Sequence, residues 1–181
     1  MSKDNLKYYT YQLDMTILNV LAVLLFIVIA IVIYLVGYDF SGIVKYNMAV
    51  LFILLILWLM LHEILHGIGF SLFKEVSKEN IVFGMALEKG VFYCMCKQRI
   101  SKKVIFISLL FPLIIIGVVT LILGIVIESI LLVYLSLANI VGSIGDIIMS
   151  IYFSKCPSDV IYLDLDDCTS FTVLSKNELG N

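Results

Sequence analysis

The sequence predicts an all-α membrane protein: four transmembrane helices, a cytoplasmic β-hairpin loop and a short β-prone C-terminal tail. Three observations predict it. Apolar residues make up 62% of the 181 positions and charged residues only 14%, against about 45–50% and 25% in an ordinary soluble domain. Four apolar segments are each long enough to cross a hydrocarbon core, which takes about 20 helical residues. The basic residues fall almost entirely on one side of those segments.

The first segment runs from about Thr16 to Tyr38. Lys3 and Lys7 precede it as in a signal peptide, but the apolar stretch is too long and no small-residue cleavage pattern follows, so it is expected to stay as a span. The second runs from about Met48 to Phe73. The third runs from about Val104 to Ile127 and contains Pro112, which removes a backbone donor and is expected to kink the helix. The fourth runs from about Ser129 to Phe153, and Glu128 alone separates it from the third, which predicts a tight helical hairpin. A loop over 74–103 and a tail over 154–181 complete one membrane-embedded domain, with no internal repeat and no low-complexity stretch.

Orientation follows from charge. The loop carries Lys74, Lys78, Lys89, Lys97, Arg99, Lys102 and Lys103; the termini add Lys3, Lys7, Lys155 and Lys176; the opposite side has only Lys45. Eleven against one places both termini and the loop in the cytoplasm of a multi-pass cell-membrane protein. Tyr8, Tyr9 and Tyr11 read as an aromatic belt at the cytoplasmic edge of the first span. Within the loop, Ile81 to Leu87 and Val91 to Cys96 are β-prone runs about Glu88-Lys89-Gly90, the pattern of a hairpin. The tail repeats it, with Val160 to Leu165 and Phe171 to Leu174 about Asp166-Asp167-Cys168-Thr169. The expected partners are the bilayer and a membrane protein or peptide, not nucleic acid, because no basic patch is interleaved with aromatics. Cys94, Cys96, Cys156 and Cys168 lack CxxC spacing, which argues against a structural zinc site.

The two histidines of the chain stand four residues apart in His62-Glu63-Ile64-Leu65-His66, inside the second span. Four residues make just over one helical turn, so both imidazoles share a face. HExxH on a helix supplies two zinc ligands and a general base. Ionisable groups are costly in hydrocarbon and usually mark function there. A catalytic zinc takes three protein ligands and keeps one open position. With Glu63 assigned as base and Glu128 at the outer interface, Asp146 is the remaining carboxylate within a span. Its depth matches: His66 and Asp146 each lie seven residues before the cytoplasmic end of their spans, roughly 10 Å inside the boundary. Gly142, Ser143 and Gly145 around Asp146, and Gly67 and Gly69 after His66, suit close helix packing.

The expected mechanism follows. Zn²⁺ held by His62, His66 and Asp146 lowers the pKa of its water, and Glu63 takes the proton and passes it to the leaving amine. Asn139, about two turns deeper than Asp146 on nearly the same face, either hydrogen-bonds the substrate carbonyl or orients Asp146. The loop hairpin pairs with an extended substrate by strand addition.

The order of parts resembles that of site-2 proteases, intramembrane zinc enzymes with HExxH on one span and an Asp on a later one. Ile147 follows Asp146 where those enzymes usually carry Gly. The chain is more closely similar to a family of small membrane zincins, through His62-Glu63-Ile64-Leu65-His66-Gly67, Leu110-Phe111-Pro112 and Gly142-Ser143-Ile144-Gly145-Asp146-Ile147. That resemblance implies zinc at His62, His66 and Asp146, with Glu63 catalytic.

Two other functions stand beside a membrane-embedded zinc metalloprotease. One is a non-proteolytic zinc-binding membrane protein: a regulator, a sensor or an immunity-type factor. The other is a small transporter or proton relay using Glu63 and Asp146, which the paired histidines disfavour. Glu63 separates the first two, because a purely structural metal site has no use for it.

Overall fold

The computed structural model describes residues 7–12, 15–36, 41–86, 91–155, 161–164 and 170–175. Its helices are α1 (Met15–Val36), α2 (Met48–Ser71), α3 (Lys102–Pro112), α4 (Thr120–Val126), α5 (Ile130–Gly142) and α6 (Ile144–Lys155). The strands are β1 (Lys7–Gln12), β2 (Ile81–Ala86), β3 (Val91–Cys96), β4 (Ile100–Ser101), β5 (Ile161–Asp164) and β6 (Ser170–Ser175).

The helices begin where the sequence offers caps. Asn47 precedes the apolar run of α2, and its Oδ1 accepts from the Ala49 N–H at 2.8 Å. Ser129 does the same for α5, accepting from Leu132 at 3.4 Å. Such caps satisfy amide donors that have no partner inside the helix. Between α4 and α5 the chain reverses through Glu128, whose φ of 55° is in the left-handed region. That turn is tight because Gly124 lets α5 approach: a Cβ there would lie 3.0 Å from the Val133 amide nitrogen.

Two helical stretches, Met48–Ser71 and Lys102–Val126, are long and apolar enough to cross a membrane. A third joins them if Ile130–Gly142 and Ile144–Lys155, bent by 47°, form one span. This fits a membrane protein, with two to three candidate spans where four were expected. The expected first span coincides with α1, except for residues 37 and 38, which lie outside the described residues.

Two local readings need correction. The third span does not simply kink at Pro112: it passes into a π-helical segment, Leu113–Val119, and continues as α4. The fourth is broken at Ser143 rather than straight. Its Gly142-Ser143 pair is a usual cause of such a kink, and the Ser143 hydroxyl turns back to the Asn139 carbonyl at 2.9 Å. Tyr8, Tyr9 and Tyr11 belong to strand β1, which directly precedes α1. Aromatic and Thr residues suit a pleated surface once a partner strand is present, and here β6 is that partner.

The hairpin is present, with β2 and β3 antiparallel and Phe83 opposite Cys94; its loop, with Glu88-Lys89-Gly90, lies outside the described residues. A second sheet runs in the order β1-β6-β5-β4, antiparallel throughout. It gathers the first described segment, the end of the central loop and the tail at one end of the helices. The turn about Asp166 and Asp167 is outside the described residues.

The best-packed region sits at that same end. Phe70, Val76, Cys96, Ile100, Val104, Ile105, Leu109 and Phe153 form one buried cluster. It joins the end of α2, the start of α3 and the end of α6, and His66 lies one turn before Phe70. Gly69 makes the α2–α3 contact possible: a Cβ at this position would stand 2.9 Å from the Ser108 Cα and 3.3 Å from the Phe111 Cβ. The neighbour is backbone and cannot rotate away. Gly69→Ala is therefore expected to destabilise the fold by about 1–3 kcal/mol, the usual range for overpacking. The check is the SDS unfolding midpoint in mixed micelles, which should fall; an unchanged midpoint would show that the helices part there freely.

Candidate metal centre

His62 and His66 lie on successive turns of α2 and are both buried. Their rings meet edge to face, with centroids 4.7 Å apart at 81°. The two Nε2 atoms are 3.0 Å apart. Asp146, in the first turn of α6, brings its carboxylate to the same point. One oxygen lies 3.1 Å from His62 Nε2 and the other 3.5 Å from His66 Nε2. The break at Ser143 is what puts Asp146 in the first turn of a new helix, where the N-terminal dipole favours a carboxylate.

The opposite side of each ring is fixed by an acceptor. His66 Nδ1 lies 2.9 Å from the Ser108 carbonyl oxygen. A carbonyl only accepts, so Nδ1 carries the hydrogen. His62 Nδ1 lies 2.8 Å from Asn139 Oδ1. The other end of that amide, Nδ2, donates to the Pro112 carbonyl at 3.5 Å, which leaves Oδ1 as acceptor and His62 Nδ1–H as donor. In the neutral rings both Nε2 atoms are then bare lone pairs. They face each other and a carboxylate at 3.0 to 3.5 Å.

Such a cluster needs a positive species at its centre. The separations suit a metal ion: ligands about 2.0–2.1 Å from a tetrahedral zinc stand about 3.3 Å from one another. Acceptors on the far ring nitrogens are the usual outer partners of metal-binding histidines.

Glu63 points into the same region. His62, Glu63 and His66 each offer a ligand atom, and these lie within 4.8 Å of one another, a His-Glu-His group positioned to bind a metal ion. The backbone N–H of Cys94 on β3 faces the Glu63 carboxylate. A cavity of about 250 Å³ lies beside the group, lined by Leu59, His62, Glu63, Phe92, Asn139, Gly142, Gly145 and Asp146. A Cβ at Gly142 would meet nothing within 4 Å, so the backbone of α5 is open to whatever fills the cavity. The hairpin is held over α2 at Gly67, where a side chain would overlap the Phe83 ring.

All five residues singled out in the sequence are therefore together: His62, Glu63, His66, Asp146 and Asn139. Asn139, 1% exposed, hydrogen-bonds His62 and Pro112 rather than Asp146. Sequence reasoning missed the Ser108 carbonyl, Phe92 and the Cys94 amide. A backbone atom has no residue signature, and the one available signal for Ser108 was the proline four positions later.

A family model described as "Putative zincin peptidase" matches residues 55–161. No curated protein and no solved structure matches the chain significantly. The matched stretch holds every residue of the site, and a zincin peptidase implies a zinc cofactor.

Proposed function

Because the chain belongs to this zincin peptidase family, we propose that it is a membrane-embedded zinc metalloprotease. It hydrolyses peptide bonds of membrane or membrane-adjacent proteins near the cytoplasmic face. His62, His66 and Asp146 hold the metal, and Glu63 is the general base. The bilayer is crossed four times, with α1 as the first span and both termini cytoplasmic. The observation that carries this reading is a carboxylate beside the metal group at the wall of a cavity of about 250 Å³. Glu63 lines that cavity together with His62 and Asp146.

The chemistry a bound zinc supplies is that of a Lewis acid: acidification of water and polarisation of a carbonyl. The chain's own residues do the rest. Glu63 accepts a proton from the attacking water and delivers it to the leaving nitrogen. Cys94 N–H steadies the Glu63 carboxylate, and Asn139 and Ser108 hold the imidazoles with their Nε2 atoms inward. An extended segment lies along β3, where Phe92 lines the cavity, by strand addition. The substrate must be unwound at the cut, because a helix buries its scissile carbonyls in its own hydrogen bonds.

The test is metal-dependent cleavage. Full-length protein in vesicles is expected to hold about one zinc per chain and to cut apolar peptides derived from membrane segments. Both properties should be lost with o-phenanthroline and restored by zinc. Stoichiometric zinc without cleavage would favour the non-proteolytic reading.

A further inference from the structure

Both imidazoles work only if their Nδ1–H groups find acceptors inside a helical bundle, where backbone carbonyls are normally taken. In a regular α-helix the Ser108 carbonyl accepts from the N–H of residue 112. Residue 112 is a proline: it has no N–H, and its ring crowds the carbonyl four residues back. The next amide along, that of Leu113, bonds the Leu110 carbonyl. The Ser108 oxygen loses the donor that residue 112 would supply and accepts His66 Nδ1–H at 2.9 Å. Gly69 allows the close approach of α2 and α3 that brings these atoms together. The carbonyl of Pro112 itself starts the π-helical segment and accepts from Asn139 Nδ2 at 3.5 Å. That bond turns Asn139 Oδ1 toward His62.

We infer that Pro112 is a positioning residue of the metal centre: its missing N–H supplies the acceptor for His66, and its carbonyl orients the acceptor for His62. One proline thus sets the tautomer of both imidazoles. The inference rests on His62 and His66 being metal ligands, as proposed above.

Pro112→Ala restores the N–H, which bonds the Ser108 carbonyl and competes with His66 for it. Helix regularity then improves while the site deteriorates, so two properties move in opposite directions. In full-length protein in detergent, Co²⁺ and Zn²⁺ affinity is expected to fall about 10–100-fold, the usual loss for an outer partner of a ligand. The Co²⁺ absorption spectrum should change shape, while the unfolding midpoint of the metal-free protein stays level or rises. An affinity within twofold of wild type overturns the inference and leaves the proposed function standing. A parallel fall of affinity and metal-free stability assigns Pro112 a merely structural role and overturns it too. If the variant does not fold, the nitrogen resonances of the histidines in zinc-loaded wild type decide. Zinc on Nε2 with hydrogen on Nδ1 of both rings supports the inference, and zinc on either Nδ1 overturns it. Wild-type protein that takes up neither metal overturns this inference and the proposed function together.

Discussion

Glu63→Gln is expected to lower peptide hydrolysis by about 10²–10⁴-fold, the range for loss of a general base, while zinc content stays at the wild-type level. Glutamine has the shape of glutamate and still accepts from the Cys94 N–H that faces this position, so the helix and hairpin keep their contacts. What is lost is basicity. Zinc is retained if, as proposed, Asp146 carries the third ligand; its oxygens lie 3.1 and 3.5 Å from the two Nε2 atoms. The competing assignment has Glu63 as third ligand, which its place within 4.8 Å of both histidines permits. The two assignments part cleanly: a ligand role predicts lost zinc, a base role predicts retained zinc and lost turnover. Cleavage at the wild-type rate by the Gln variant would sink the protease reading, and elemental analysis beside a peptide-cleavage assay decides among the three.

The site was legible in the sequence wherever its logic is local or rests on scarcity. His62 and His66 share a face because four residues make one turn, a property of any helix. Asp146 stood out because hydrocarbon tolerates few carboxylates, which leaves a short list to choose from. The rest depends on bonds between distant residues. Gly142, Ser143 and Gly145 read as small residues for close packing, and the helix also breaks there, so that Asp146 falls in the first turn of a new one. Pro112 read as a kink, whereas its consequence is a carbonyl freed for a histidine 42 residues earlier. Asn139 was placed on the right face, with the substrate carbonyl or Asp146 as its expected partner, and it meets His62 instead, since rotation about a helix axis does not say which side of an imidazole an amide meets. The tyrosines of β1 pair with β6, more than 150 positions away in sequence. No local pattern announces that pairing.

Asp146→Asn is expected to lower zinc affinity by more than the 10–100-fold typical of an outer partner, because a ligand is removed rather than its support. Zinc stoichiometry after dialysis against a weak chelator should fall well below that of wild type, and peptide cleavage should fall with it. Without metal, a proton on an imidazole can take the cation's place beside the carboxylate, whose oxygens lie 3.1 and 3.5 Å from the two Nε2 atoms. Asparagine keeps a hydrogen bond to His62 but not the charge, so the metal-free variant should unfold at equal or lower SDS than metal-free wild type. Zinc retained with stability lost would make Asp146 a structural carboxylate between α2 and α6. It would also require a different third ligand, and Glu63 is the residue within reach.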